Sequence, residues 1–277
     1  MSQPVQSSQS LTLVRLSVCL MLSLFISDTN LFAADPPAIK TVYPAGIQQG
    51  KTAEIKLNGK PGELPISVWS SCSQFEKMTI SEKGDQLSIT AKQDVPAGLH
   101  WLRFYNPQGS TPLIPFFVGT LPEISEEEPN NDITEAGKIE SLPVTINGIL
   151  SKAGEIDTYQ VKLNKGETLV ASVDAHHTLA SPMDTILQIL DEQRFVLTQN
   201  DDDHGNDSLL HFRAPQQGTY YVRIFCFPSA PNSTIRFAGG PDNIYRLTLS
   251  KSAFLAFQFE TWQGKQKTFV RTGWNLA

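Results

Sequence analysis

Carboxylate and amide side chains concentrate in one short stretch of the sequence. Residues 126–132 read Glu-Glu-Glu-Pro-Asn-Asn-Asp, and further acidic stretches follow at 154–157 and 200–207. Ca²⁺ takes six to eight oxygen ligands in a flexible geometry, and loops rich in carboxylate and amide oxygens supply such ligands. Two interpretations of residues 126–132 follow: a solvated acidic linker, or part of a cation site.

The proline within this stretch favours the cation site. Pro129 biases the residue before it towards extended conformations, and in an extended chain alternate residues face the same way. Glu126, Glu128 and Asn130 would then share one face and supply half of a calcium site. Asp157, on a neighbouring loop, is our candidate for completing it. For the three aspartates at 201–203, a solvated turn is as good an interpretation as a metal site.

Motifs for catalysis are absent from the sequence, which contains no Gly-x-Ser-x-Gly elbow, no His-Glu-x-x-His pattern and no phosphate-binding loop. We therefore expect a protein that is not an enzyme. The formal net charge of −6 comes without any basic stripe, so we expect no nucleic-acid partner.

The first residues resemble an export signal. Arg15 precedes an apolar run at 16–26, and small residues follow at Ala33 and Ala34. This pattern predicts a signal peptide over residues 1–34 and a secreted or cell-surface protein, with a buried N-terminal helix as the alternative. The run is shorter than the roughly 20 residues that span a bilayer, so we expect no membrane span in the mature chain. Only Cys72 and Cys226 remain after cleavage, and we expect buried thiols rather than a disulfide.

The sequence of 277 residues has room for two domains, and the pattern after the leader is all-β. Over residues 35–121, short apolar runs separated by Gly, Pro, Asn and Ser predict strands at 39–43, 52–57, 66–70, 86–91, 100–105 and 113–118. Strict alternation at 53–57 indicates a half-buried strand. This spacing, without helical periodicity, predicts an immunoglobulin-like β-sandwich.

The acidic stretch opens a second strand-rich segment, residues 122–250. A turn or two of helix is expected at 133–139, and strands are predicted at 144–149, 158–163, 168–173, 185–190, 195–198, 208–212, 220–225 and 245–249. Alternation is clear at 159–163 and 245–249. We predict a second β-sandwich.

The C-terminal residues 251–277 repeat a feature of the first segment. Gln49-Gly50-Lys51 is followed by Gly59, and Gln263-Gly264-Lys265 is followed by Gly273 at the same interval. We expect residues 251–277 to open a further immunoglobulin-like repeat, with no strands to pair with, in a chain that is either a truncated reading frame or the front part of a longer architecture. The alternative is an added edge strand on the second sandwich.

Five ordered segments of residues 122–250 resemble the bacterial pre-peptidase C-terminal (PPC) domain: residues 128–131, 147–150, 155–159, 201–203 and 218–223. The resemblance implies a jelly-roll-like β-sandwich that accompanies secreted peptidases without catalysing. In collagen-binding relatives, the Glu-x-Glu-Pro-Asn segment and a later Asp bind calcium. The metal ligands implied here are Glu126, Glu128, Asn130, Asn131 and Asp157. Glu155 departs from the Asp found in many members at that position.

A shorter resemblance concerns the first sandwich. Tyr43-Pro44-Ala45-Gly46, with residues 49–52 and Gly59, looks like the opening of an IPT/TIG-type immunoglobulin-like domain. We therefore expect an exported, non-catalytic interaction module with calcium at the junction of its sandwiches, and an extracellular protein or polysaccharide as partner.

Two alternatives to this function remain. The protein is a carbohydrate- or matrix-binding module, or it is the non-catalytic leader of a longer secreted peptidase. In the first case Trp69, Trp101 and Trp262 would supply stacking surfaces, although we expect these side chains to lie in the core.

Overall fold

The structure, a computed structural model, describes residues 35–230, 233 and 236–276. The predicted signal peptide lies outside the described residues. The regular structure of this part of the chain is almost entirely β: 56% of residues lie in strands and 2% in helix. The prediction of an all-β protein with two consecutive sandwiches is confirmed.

The first sandwich follows immunoglobulin topology. Its strands are β1 (Ala38–Tyr43), β2 (Gly46–Gln48), β3 (Thr52–Lys60), β4 (Ser67–Ser70), β5 (Phe75–Ile80), β6 (Gln86–Ala91), β7 (Gly98–Asn106), β8 (Gly109–Ser110) and β9 (Ile114–Gly119). One sheet has the order β1-β3-β6-β5, and the other has the order β2-β9-β7-β4. These are the ABED and CFG sheets of an immunoglobulin constant-type domain. Membership of the IPT/TIG family stays a prediction.

The second sandwich has jelly-roll order. Its strands are β10 (Glu123–Ser125), β11 (Gly137–Lys138), β12 (Val144–Ile149), β13 (Asp157–Leu163), β14 (Thr168–Asp174), β15 (Met183–Leu190), β16 (Val196–Asn200), β17 (Leu209–Arg213), β18 (Gly218–Pro228) and β19 (Ile244–Ser250). The sheets have the orders β10-β12-β19-β14-β17 and β11-β13-β18-β15-β16. The short strands β10 and β11 pair in parallel with their neighbours. Without them each sheet has four antiparallel strands, and two such interleaved sheets are typical of a jelly roll. A four-residue helix, α1 (His176–Leu179), follows β14.

Three sequence predictions about local structure are wrong. Residues 133–139 form turns and the short strand β11 instead of helix, because β11 pairs with β13. The tryptophans expected in the core are exposed: Trp69 by 48%, Trp101 by 36% and Trp262 by 64%. Alternation in β19 assigns Arg246 to the solvent side, yet only 2% of Arg246 is exposed. The thiols of Cys72 and Cys226 are free and buried, as predicted.

The C-terminal residues form a hairpin of their own. Strands β20 (Phe254–Gln263) and β21 (Gln266–Trp274) pair only with each other. The alternative of an edge strand on the second sandwich is therefore wrong, and the opening of a further immunoglobulin-like repeat stays a prediction. The register of the hairpin repeats that of β1 and β3: Gly273 lies opposite a bulge in β20, just as Gly59 lies opposite a bulge in β1.

The two sandwiches meet at a buried arginine on β19. The guanidinium of Arg246 donates to both carboxylate oxygens of Glu123, each at 2.8 Å, and to the side-chain oxygen of Asn147 at 3.1 Å. The same guanidinium lies over the ring of Phe117 from the first sandwich, 5.1 Å from its centroid. A Cβ on Gly46 would lie 1.9 Å from this guanidinium, so the absence of a side chain there permits the contact.

Removing this arginine is expected to destabilise the protein strongly. Arg246→Met leaves the carboxylate of Glu123, whose side chain is 9% exposed, without its partner. Breaking a buried pair in this way costs about 3–5 kcal/mol, whereas replacing both partners by apolar residues is often neutral. Urea unfolding should therefore show a large loss for Arg246→Met and recovery in the double variant Glu123→Leu/Arg246→Met.

The matched control for this experiment is Arg213→Met, at an exposed arginine at the end of β17. We expect the control to change the free energy of unfolding by at most about 0.5 kcal/mol. Equal midpoints for Arg246→Met and Arg213→Met would contradict the role given to Arg246.

Candidate cation site at the junction of the sandwiches

The acidic stretch is held in place by backbone pairing on both sides. The parallel strand β10 ends at Ser125, and the next residue, Glu126, donates its N–H to the carbonyl of Asn147 at 2.9 Å. Beyond Pro129, the carbonyl of Asn130 accepts the N–H of Thr158 at 2.9 Å. These bonds fasten the stretch to β12 at one end and to β13 at the other, next to Asp157.

Three of the predicted ligands come together here. Glu126, Glu128 and Asp157 each contribute one carboxylate oxygen to a group in which all three atoms lie within 4.8 Å of one another. Their exposure differs, because Asp157 is buried, Glu126 is half-buried and Glu128 is exposed. The group is thus open to solvent on the Glu128 side. That a metal binds here stays a prediction.

The two predicted amide ligands differ in their surroundings. Asn130 is fully buried, and its side-chain oxygen and nitrogen have no hydrogen-bond partner. The Oδ1 atom of Asp157 and the hydroxyl of Thr158 are also buried without a partner. Buried polar groups nearly always have partners, so a bound water or ion at these atoms would satisfy them. The amide nitrogen of Asn131 lies 3.5 Å from Glu128 Oε2, at the limit of a hydrogen bond.

Tyrosine hydroxyls surround the same carboxylates, which the sequence analysis missed. The hydroxyl of Tyr245 lies 2.5 Å from Asp157 Oδ2 and 3.2 Å from Glu126 Oε2, and it is 2.5 Å from the hydroxyl of Tyr159. The backbone N–H of Ile149 donates to Glu126 Oε1 at 2.6 Å. A signal was present, since alternation assigns both tyrosines to the core, where a hydroxyl must find a partner.

The first sandwich also reaches this site. Tyr43, the last residue of β1, donates its hydroxyl to the backbone oxygen of Asn147 at 2.9 Å. Burial, together with the charge of Glu126, raises the pKa of Tyr43 to about 12. Tyr43 therefore stays a neutral donor and links the first sandwich to the strand that holds Glu126.

Burial and mutual repulsion make ionisation of the carboxylates costly. Burial is the largest cause of the raised pKa of Asp157, and the charge of Glu126 adds to it. Burial also raises the pKa of Glu126, against hydrogen bonds that lower it. None of the ion pairs among the described residues involves these carboxylates. The site therefore lacks positive charge of its own.

The other acidic residues have separate structural roles. Glu155, buried to 1% exposure, accepts the hydroxyl of Ser151 and the N–H of Lys152. Asp132 forms a bidentate ion pair with Arg194, which lowers the pKa of the aspartate.

The third acidic stretch is likewise separate from the junction. Asp207 accepts the N–H groups of Ala175, His176 and His177 at 3.1, 2.7 and 3.0 Å, and so caps the start of α1. The neighbouring Asp203 lies 2.6 Å from the ring of His204.

The raised pKa of Asp157 predicts how the cation-free protein responds to pH. A carboxyl group whose pKa is higher in the folded state stabilises the fold below its unfolded pKa of about 4, and this stability is lost as the pH rises towards the folded pKa. In chelator, stability should fall between pH 4 and 8 by up to about 1.4 kcal/mol per pH unit. Asp157→Asn, which cannot ionise, should flatten the profile. Parallel profiles for the two proteins in thermal melts would contradict this electrostatic account.

Comparison with known proteins bears on the second sandwich. A probable subtilase-type serine protease of Deinococcus radiodurans is 29% identical over 105 residues, which is 38% of this chain and 14% of that protein. The chain thus spans only 14% of the length of this curated relative.

Two solved structures align with part of the chain. The pre-peptidase C-terminal domain of a Bacillus anthracis collagenase aligns with a TM-score of 0.32 at 18% identity, covering 45% of this chain and 100% of that one. Aeromonas hydrophila PliG, a periplasmic inhibitor of g-type lysozyme, aligns with a TM-score of 0.28 at 11% identity, covering 47% and 95%. Among family models, that of the bacterial pre-peptidase C-terminal domain matches residues 155–225, from the turn before β13 into β18. The match to the bacterial pre-peptidase C-terminal domain family thus covers residues 155–225 of the second sandwich.

Proposed function

We propose that this protein is an exported, non-catalytic accessory module whose two sandwiches are fixed relative to each other by a calcium ion at their junction. The observation that supports this is the group of three carboxylates, Glu126, Glu128 and Asp157, gathered within 4.8 Å. The unpartnered oxygens of Asn130 and Asp157 lie in the same region of the chain and also call for a ligand.

The chemistry of these donors fits calcium better than other common cations. All of the candidate ligands are oxygens, and they come from a loop and a strand end, which gives the flexible geometry that Ca²⁺ accepts and Mg²⁺ does not. No histidine or cysteine belongs to the group, as a zinc site would require. When bound, the ion would supply the positive charge that the buried carboxylates lack.

The position of the group explains why a cation would matter for architecture. Glu126 and Glu128 lie directly after β10, the strand that leads from the first sandwich into the second. Asp157 begins β13 of the second sandwich, and Tyr43 of the first sandwich donates to the carbonyl of Asn147 on β12, which also accepts the N–H of Glu126. An ion held by Glu126, Glu128 and Asp157 would fasten the linker to β13, so that the junction behaves as a rigid connection.

An accessory role agrees with the comparisons. The matched family is named for its position beside peptidases, and the Deinococcus relative is a probable subtilase-type protease. Tyrosine hydroxyls and a backbone N–H bind the carboxylates of Asp157 and Glu126, and the group is open to solvent at Glu128, where an ion would enter. The signal-peptide pattern of residues 1–34 supports export. The partner of the exported protein would be an extracellular protein or polysaccharide.

Membrane insertion through helices receives no support, since α1 is the one helix of the described residues and is far too short to cross a bilayer.

Calcium should raise the melting temperature of the purified protein. A ligand that binds only the folded state stabilises it by about 2.7 kcal/mol at a hundredfold excess over Kd. For a protein of this size the shift is roughly 5–10 °C. Differential scanning fluorimetry in chelator, then in excess Ca²⁺ or Mg²⁺, measures the effect. Calcium should also slow protease cleavage near residue 125.

Neighbouring glutamates provide a matched pair of variants. Glu128→Gln removes a carboxylate of the group, whereas Glu127→Gln removes the same charge from an exposed residue outside it. The calcium-dependent shift should be reduced strongly by Glu128→Gln and left intact by Glu127→Gln. The proposal fails if calcium does not stabilise the unmodified protein, or if both variants respond alike.

A further inference from the structure

Bulky side chains line both faces of β7 in the first sandwich. Leu102 and Phe104 point inward and are fully buried in the core. Trp101 and Tyr105 lie on the opposite face, where they are 36% and 44% exposed. Because side chains alternate along a strand, Arg103 lies between these two aromatic residues on the outer face.

The adjacent edge strand adds a second tryptophan to this face. In the antiparallel pairing of β4 with β7, Trp69 lies directly opposite Arg103. Trp69 is 48% exposed, and Trp101 and Tyr105 are its diagonal neighbours across the strand pair. We call Trp69, Trp101, Arg103 and Tyr105 the aromatic strip.

The strip continues a face that already serves as an interface. In the sheet order β2-β9-β7-β4, the β9 side is covered by the second sandwich, where Arg246 lies over Phe117 and α1 packs against β9. The strip occupies the remaining two strands and ends at the sheet edge formed by β4. It is therefore bounded by the second sandwich on one side and by solvent on the other.

The dimensions of the strip suit a narrow ligand. Two strands are about 10 Å wide, and the five residues from Trp101 to Tyr105 span about 13 Å. A stable protein–protein interface needs about 800 Å² on each partner, with 20 to 30 residues per side. Four side chains beside a sheet edge do not supply that area, whereas a single extended polymer chain fits along them.

The chemistry of the strip identifies the polymer. Indole and phenol rings offer flat apolar faces with a polar edge, and the pyranose rings of a polysaccharide offer flat C–H faces bordered by hydroxyl groups. Arg103 has five N–H donors for such hydroxyls, and it belongs to none of the ion pairs of the described residues. One cation is too little for a polyanion, and no carboxylate in the strip attracts a polycation.

We propose that the aromatic strip binds a single extended chain of a neutral polysaccharide. The rings of Trp69, Trp101 and Tyr105 stack on successive sugar units, and Arg103 donates hydrogen bonds to their hydroxyls. None of these residues belongs to the carboxylate group at the junction. The glycan site and the calcium site are thus separate, and either stands if the other fails.

Affinity electrophoresis of the full chain tests the proposal, with chelator present so that calcium plays no part. The gels contain one of several neutral polymers: a mixed-linkage β-glucan, xylan, galactomannan or hydroxyethyl cellulose. Pull-down on insoluble cellulose and chitin extends the panel. At least one polymer should retard the unmodified protein, and Trp101→Ala or Trp69→Ala should weaken that binding at least tenfold. Trp101→Phe keeps a ring and should retain part of it.

Phe195→Ala is the matched control, because Phe195 is an aromatic residue that is 69% exposed on the second sandwich, away from the strip. It should leave retardation unchanged, and circular dichroism of every variant should match the unmodified protein. Three outcomes overturn the proposal: no neutral polymer of the panel binds, the control weakens binding as much as Trp101→Ala does, or only sulfated polymers bind and salt abolishes their retention.

Discussion

The buried guanidinium of Arg246 connects three parts of the molecule that are distant in sequence. It bonds Glu123 of the linker strand, Asn147 of β12 and, through its face, Phe117 of the first sandwich. A buried charge is tolerated only where its partners are in place, so the linker cannot move away without a large cost. The course of residues 123–130, and with it the position of the acidic residues, depends on this contact.

The acidic group lies on the linker that Arg246 holds in place. Its negative charges, unlike that of Glu123, have no positive side chain beside them in the part of the chain that the structure describes. Arg246 and Glu123 neutralise each other, whereas the donors to Glu126, Glu128 and Asp157 among the described residues are neutral: tyrosine hydroxyls, backbone N–H groups and the amide of Asn131. Their burial is costly unless protons or a cation reduce the charge. Burial is the largest cause of the raised pKa of Asp157 and Glu126. It also makes the group suitable for a divalent ion, because the ion would supply the positive charge that the buried carboxylates lack.

The two sandwiches contribute differently to function in this view. The second sandwich and its linker carry the junction, and the first sandwich uses one half of a sheet face for contact with the second and leaves the other half exposed. A rigid junction would hold the exposed aromatic face in a constant orientation relative to the second sandwich and to any domain that the second sandwich accompanies. The C-terminal hairpin contacts the second sandwich through two aromatic stacks, His204 with Phe257 and His211 with Trp274.

The sequence by itself determined most of the longer strands, the two sandwiches and the acidic residues of the junction, because alternation and turn chemistry are local properties of the chain. It did not predict β5 or the short strands β2, β8, β10 and β11. It did not determine which face of a strand with large side chains on both sides is covered. In β7 the pairs Leu102 with Phe104 and Trp101 with Tyr105 are equally apolar patterns, and only packing of the opposite sheet decided that the first pair is the core. Arg246, outward by alternation, is buried because the first sandwich lies on that face. Tyr159 and Tyr245, far apart in sequence, meet Glu126 and Asp157 only through the pairing of distant strands.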